Sequence, residues 1–552
     1  MDVHTSIQGG RPQNETTWQW IRYLVAVQTD WLIAIGLVLI VSCLGAIRIA
    51  PGVIGIYHDD GIYVATAKSI AEGHGYRLID LPGEPPQTKY PILYPLSLAL
   101  LWRAWPDFPQ NAVLMQGFSV VCTGLALALG YLYLVRVSGL SRIQVGASAF
   151  ICATSPLLLY FATQALSEPL FAVATMVMFF AAENTFGQPR RGPLGDFIRG
   201  VLIASPLLVR LVGVSFVTAL ALMLIRQPRR HGWVLVGILA TVTPWAAWVF
   251  LQSNAVTVEG VAQYYTVRPY SSWWLTDPAA VSNVVYRNVL WAARYTIAIP
   301  IQALNDSRFV PITLALGTAA WMIFCWQWRT RRILVFPILA YMTLVVLWPW
   351  PPLRFLVPIA LLSTAGLAAL ANEGVSLLPR RGRLVVMVLM TTAVVASNLS
   401  ALRADIALVR KTGYPQPMSD RPVFWRDYEH TFEWIRTNSD RSDVVASGLD
   451  SMLYLYTGRQ GIRPFEPAPM ALIYSVETEP LGSPDTLVSV LLGQRARFLV
   501  RLPMPTFVEE PHLNRLIDRV RADRPGCLHE RYRNLPDHRF VVYEVRAAMC
   551  RR

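Results

Sequence analysis

Two aspartates stand side by side at positions 59 and 60, in the stretch IYHDDGIYVATAKSIAEGHGYR (56–77) that directly follows a long apolar run. A carboxylate placed against a hydroxyl can take its proton, and two adjacent ones can share a cation. The ordinary alternative holds for one of them, because Asp is a favoured helix N-cap and suits the positive end of the helix dipole. It does not account for both. Three cations carry the complementary chemistry: Lys89 in TKYPILYP, Arg210 in PLLVRLVG and Arg354 in WPWPPLRFLVP. A guanidinium between apolar flanks is costly unless paired, so each reads as an anion ligand as readily as a headgroup anchor. Glu168 in ALSEPLF opens an apolar segment and serves either as an auxiliary acid or as part of a Ser-Glu-Pro helix start. His58 reads as incidental. An acid that removes a proton and cations that receive an anion are the parts of a group transfer.

Composition fixes the setting of these residues. Of 552 residues, 54% are hydrophobic and only 15% charged, with 18 Trp, which is too little charge for a soluble surface. The balance of 49 basic against 35 acidic residues gives +14. The arginines gather in short loops between apolar runs, a membrane-orientation pattern, and argue against a nucleic-acid partner. No cofactor requirement is visible, and a divalent metal between the carboxylates stays open. The six cysteines show no metal spacing. Cys527 and Cys550 alone lie in the polar tail, and can pair if that tail is outside the cytoplasm.

Apolar runs predict a polytopic α-helical membrane protein of about eleven spans, near 31–49, 112–135, 144–160, 166–183, 197–207, 208–225, 232–251, 309–328, 333–348, 354–371 and 384–402. With residues 1–30 cytoplasmic, the Arg-bearing loops at 136–142, 190–191, 226–230, 329–332 and 380–381 all fall inside. This requires a turn back at SPLLVR. The transmembrane domain is then 31–402, with a first extracytoplasmic loop at 51–110 and an aromatic one at 252–308, whose residues 263–275 could stack on sugars or cover a cleft. Residues 403–552 read as a soluble extracytoplasmic α/β domain. It contains the helix FWRDYEHTFEWIRTNS and the strands DVVASG, RFLV and FVVYEV. Within the first loop, 56–77 predicts a short amphipathic helix lying along the membrane surface, with Ile62, Thr66 and Ile70 on one face and the two aspartates at its start, and 91–105 a second helix too short to span.

The ordered set HDDGIYVATAKSIAEGHGY, TKYPILYPLSLALL, ALSEPLF, LLVRLVGVSF, PPLRFLVPIALL and TFEWIRTNSDRSDVVASG…YLYTGRQGIRP resembles the GT-C superfamily of integral-membrane glycosyltransferases. The likeness is to the branch with protein O-mannosyltransferases and the lipid A aminoarabinose transferase. It runs over nearly the whole chain, with one departure: the second acid, often Glu in the family, is Asp60 here, on a shorter arm. The resemblance implies a polyprenyl-phosphate-linked sugar as donor and a lipid, glycan or protein as acceptor. It also implies a bacterial plasma membrane, with the site on the extracytoplasmic face. In that setting Asp59 is expected to be the base and Asp60 to orient the loop or acceptor, or to share an ion. Lys89, Arg210 and Arg354 would bind the donor phosphate. Other donors within the superfamily, such as oligosaccharide or arabinose carriers, stay open. From another class, a multipass transporter or flippase of lipid-linked sugars also accommodates broken helices and intramembrane charge. The weight of loops and tail on one side, and the lack of a visible inverted repeat, disfavour it.

Overall fold

Apolar length decides most of the architecture. The computed structural model describes residues 13–187, 192–252, 265, 278–415, 422–465, 468–476 and 481–551, with side chains from residue 27 onward. Helices α1 (Gln13–Arg48), α2 (Asp59–Ala71), α3 (Leu93–Ala104), α4 (Ala112–Val137), α5 (Arg142–Ala153), α6 (Pro156–Ala162), α7 (Glu168–Gly187), α8 (Pro193–Val209), α9 (Val214–Ile225) and α10 (Pro228–Gln252) form the first part. They are followed by α11 (Pro278–Ala298), α12 (Val310–Gln327), α13 (Arg332–Val346), α14 (Leu353–Leu356), α15 (Ala360–Gly374) and α16 (Arg380–Thr412). All eleven apolar runs are mainly helical, although 144–160 is divided between α5 and α6, 208–225 begins across the α8–α9 break, and 354–371 is divided between α14 and α15. Among the described residues, seven stretches are long and apolar enough to cross a membrane, and α5 with α6, bent by 62°, makes an eighth. Leu211–Ile225 and Arg332–Val346 are shorter apolar helices. The chain is a polytopic helical membrane protein. The break at SPLLVR is real: α8 ends at Val209, Arg210 is extended and the chain restarts after a 3-10 turn.

A buried arginine clamps the end of the first span. Arg48 donates to Asp405 of α16 at 2.6 Å and to the Thr163 hydroxyl after α6, so three helices are tied at one guanidinium. Within the stretch read as an aromatic loop, the structure has the 21-residue helix α11, packed along α12. Polar residues concealed it. Asn288 is fully buried and satisfied, donating to the carbonyls of Val346 and Trp348 and accepting from the Tyr474 hydroxyl. The aromatic residues 263–275 lie outside the described residues except for Tyr265.

The C-terminal part is a mixed sheet with helices α17 (Trp425–Asn438), α18 (Asp450–Thr457), α19 (Pro469–Tyr474), α20 (Pro484–Gly493), α21 (Glu510–Asp523) and α22 (Ala547–Cys550). Strands β1 (Val444–Ser447), β2 (Gly461–Ile462), β3 (Ala496–Arg501), β4 (Leu528–Arg533) and β5 (Val541–Val545) take the order β2-β1-β3-β5-β4. β1 runs parallel to β2 and β3, while β5 is antiparallel to β3 and β4, with Leu499 opposite Tyr543. In α17, Trp425, Tyr428, Phe432 and Ile435 point into the core at helical spacing. Two hydrophobic cores result, one among the long helices and one around the sheet. Val53 and Ile56, which lead into α2, belong to the second.

Cys527 and Cys550 form a disulfide closing a 23-residue separation between the start of β4 and the chain's last helix. Loop closure of that length stabilises by about 3 kcal/mol. Replacing Cys550 by Ser is therefore expected to expose the segment after β5 to limited proteolysis at temperatures where the parent resists. An unchanged cleavage profile would contradict this.

Candidate active site

The site is built where helix ends from the membrane part meet the sheet domain. The loop 51–58 carries the chain from α1 to α2, and Asp60 holds that loop in shape. Its two carboxylate oxygens accept from the backbone N–H of Gly55 (2.7 Å) and of Tyr57 (2.9 Å). Asp60 is fully buried and faces the loop, so its geometry suits orienting. Neither aspartate is the N-cap of α2, a place taken by His58 without a side-chain cap bond. The helix is not an exposed amphipath: residues from Asp60 through Ala67 are buried on every face. The cause is tertiary, since α3 covers one side and α18 of the sheet domain another.

Asp59 points the other way, into a cavity of about 470 Å³. Lys89, Arg210 and Arg354 line the same cavity, although they come from the segment before α3, the α8–α9 break and α14. Arg354 is the hinge of the arrangement. Its Nη1 donates to Asp59 Oδ2 at 3.0 Å and its Nε to Glu168 Oε1 at 2.7 Å. Arg210 Nη1 lies 2.7 Å from the same Glu168 oxygen and 3.0 Å from the Ser167 hydroxyl. Glu168 is wholly buried behind the cavity wall, bridging the two guanidiniums. Arg354 Nη2 has no hydrogen-bond partner among the described residues. The Tyr90 hydroxyl donates to Asp59 Oδ1, and Lys89 Nζ sits 5.1 Å from the centre of the Tyr90 ring.

Electrostatics follow from this geometry. Burial raises Asp59, but Arg354 first, then Lys89 and the Tyr90 hydroxyl, outweigh it and hold the carboxyl down at about 2. Asp60 is the opposite case: burial pushes it up to about 6 against the backbone N–H groups that favour its charge. Lys89 is brought down to about 8 by burial, with Asp59 opposing and Arg463 and Arg354 reinforcing. Adjacent carboxylates thus differ sharply because one faces cations and the other faces protein.

The remaining wall is aromatic and apolar, with Tyr57, Trp348 and Trp350 among its residues, and Pro505–Glu509 closes it from the sheet domain. Several partners escaped the sequence reading. Tyr90 sits beside Lys89 in TKYP and carried no signal of its own. Asp450 and Glu509 lie in unremarkable stretches of the tail, and His58, set aside as incidental, is fully buried against Asp450. Among the described residues no group of three His, Cys, Asp or Glu is placed to hold a metal ion.

By sequence, no family profile and no curated protein matches the chain. Solved structures do. ArnT from Cupriavidus metallidurans in the apo state matches with a TM-score of 0.52, over 97% of this chain and 99% of that one, at 12% identity. The Archaeoglobus fulgidus oligosaccharyltransferase tethered to an acceptor peptide with the NVT sequon matches with a TM-score of 0.51. There the coverage is 93% of this chain and 74% of that one, at 12% identity. The chain has the fold of the GT-C membrane glycosyltransferases. The same ArnT bound to undecaprenyl phosphate gives a TM-score of 0.45 over 96% of this chain and 99% of that one, at 14% identity.

Within this GT-C fold, Glu168 bridges two arginines at once. Its removal leaves both without their shared carboxylate. Glu168→Ala is expected to cost about 3–5 kcal/mol of stability, as for other broken buried pairs, and to lower the melting temperature in detergent far more than Lys89→Ala. Equal melting temperatures for the two variants would show that the bridge carries no such weight.

Proposed function

We propose that the protein transfers a sugar from a polyprenyl-phosphate carrier to an acceptor hydroxyl. The observation that carries this reading is the cavity in which the Asp59 carboxylate lies among Lys89, Arg210 and Arg354. Counting the charges around it, two carboxylates (Asp59, Glu168) and three cations leave one positive charge. Glu509 also lines the cavity, with a carboxyl that burial holds above its ordinary value while Arg463 opposes. A sugar phosphodiester carries one negative charge, and Lys89, Arg210 and Arg354 are the cations that would meet it.

The chemistry is a displacement. The acceptor oxygen forms a bond to the anomeric carbon as its proton passes to Asp59. The bond from that carbon to the phosphate oxygen breaks, and polyprenyl phosphate leaves with the electron pair. Lys89 and the guanidiniums stabilise the charge that develops on it. At rest Asp59 is a weak base, because Arg354 and Lys89 hold its charge. A phosphate entering the cavity competes for both cations, loosens that hold and raises the basicity of Asp59 as the donor binds. Asp60 keeps the loop in place, and the aromatic wall, Trp348 and Trp350 included, offers apolar faces to a sugar ring.

We place the cavity and the sheet domain on the extracytoplasmic side of a bacterial plasma membrane. The Cys527–Cys550 disulfide belongs to an oxidising compartment, and the arginine-rich loops between spans fit the cytoplasmic side. The acceptor is a lipid, glycan or protein exposed there.

Three outcomes test this. Asp59→Asn should lower turnover by about 10²–10⁴-fold while expression and membrane insertion stay normal. Transfer from a polyprenyl-phosphate sugar at the parent rate would remove Asp59 from the mechanism. Lys89→Ala and Arg210→Ala should each weaken donor binding by about 1.5–3 kcal/mol, the worth of a charged hydrogen bond, with acceptor KM unmoved. Parallel loss for both substrates would count against a phosphate role. The pH profile is directional: Lys89 is charged below about 8 and loses its proton above it. The kcat/KM for donor should therefore fall as pH rises through that value, and Lys89→Arg should flatten the limb. A limb that persists in the Arg variant would assign it to another group.

A further inference from the structure

The residue before Asp59 adopts a backbone shape that ordinary side chains avoid. His58 has φ 64° and ψ −50°, and the Asp59 N–H donates to the Tyr57 carbonyl at 2.7 Å across it. This is the positive-φ form of the γ-turn, rare and strained, at a bulky residue that is wholly buried. Such a conformation persists only where the surroundings over-determine it, and it is a pointer to function. Here the surroundings come from the sheet domain. His58 Nε2 lies 2.5 Å from Asp450 Oδ1, the first residue of α18, and the Ser451 hydroxyl donates to the His58 carbonyl at 3.2 Å. The second Asp450 oxygen accepts from the Tyr265 hydroxyl. An ionised carboxylate only accepts, so the ring proton sits on Nε2.

The docking is close enough to need glycine on the other side. A Cβ on Gly61 would collide with the Ser451 hydroxyl, and one on Gly55, at φ +98°, would lie 2.5 Å from Met452 Cβ. Helix α18 therefore grips the loop and the first turn of α2 from outside the membrane part, at the one point where the chain turns Asp59 toward the cavity and Asp60 away from it.

We propose that His58 and Asp450 are a positioning pair, through which the sheet domain fixes the direction in which Asp59 faces the acceptor. This rests on the reading of Asp59 as the base. It assigns the sheet domain a part in the reaction that does not require it to touch either substrate. Neither residue lines the cavity, so neither should contribute to holding the donor.

The test uses the purified full-length protein and a polyprenyl-phosphate-linked sugar, with polyprenyl phosphate alone as the probe of donor-site affinity. Asp450→Ala and His58→Ala should lower kcat by roughly 10- to 100-fold, the scale of a misplaced reacting group, with donor KM and probe affinity within about twofold of the parent on the same scale. His58→Gln keeps an N–H at nearly the same reach and should recover most of the rate, whereas His58→Gly, which relaxes the strained backbone but removes the anchor, should not. Parent-like kcat in both Ala variants overturns the proposal, as does a parallel fall of kcat, probe affinity and melting temperature. If Asp450→Ala does not fold, the comparison of His58→Gln with His58→Gly decides. The reading of Asp59 fails separately: an active Asp59→Asn protein would sink it whatever the Asp450 variants do, and an inactive one with fully active Ala variants sinks only the pairing.

Discussion

Arg354 joins two carboxylates that lie 295 and 186 residues before it in the chain. A guanidinium at the edge of the hydrocarbon region cannot shed its proton, so its charge has to be met by protein. Glu168 meets one side of it and Asp59 the other. Because Glu168 also takes Arg210, the break between α8 and α9, the start of α7 and the start of α14 are drawn to one place. The same interaction of Arg354 is the largest favourable influence that keeps the Asp59 carboxyl charged.

The second constraint acts from the opposite side. Val53 and Ile56 insert into the core of the sheet domain, and the Tyr456 hydroxyl accepts from the Ile54 N–H at 2.9 Å. The loop before α2 is thus part of that domain in packing terms, though it belongs to the membrane part in sequence. Asp59 sits where the two parts meet, its carboxylate held by Arg354 and the loop before it packed into the core of the sheet domain. Groups that act on a bound substrate gain most from such double restraint.

Much of this was legible in the residue string, for a definable reason. Charges flanked by apolar residues are expensive, so Lys89, Glu168, Arg210 and Arg354 stand out, and the structure brings all but Glu168 to the cavity wall and Glu168 just behind it. Apolar length likewise marks the helices, including the turn back at Arg210. What stayed hidden depends on long-range pairing. No local pattern says that Glu168 would bridge two arginines, or that Asp60 would spend both oxygens on its own loop. His58 looked incidental because a histidine beside two acids has many ordinary explanations, and its partner Asp450 is 392 residues away. Helix α11 was read as loop because Asn283, Arg287, Asn288 and Arg294 dilute its apolar face. The sequence pattern of α2 reads as a surface helix because part of its cover, α18, is encoded almost four hundred residues later.

The account stands most directly on where a lipid phosphate binds. A structure of the full-length protein with a polyprenyl phosphate should show its phosphate within hydrogen-bond distance of Lys89, Arg210 or Arg354, with Arg354 drawn away from Asp59 and the Asp59 carboxylate facing the open side of the cavity. A phosphate lodged on a face without those cations, with the Asp59–Arg354 pair intact beside it, would contradict the account.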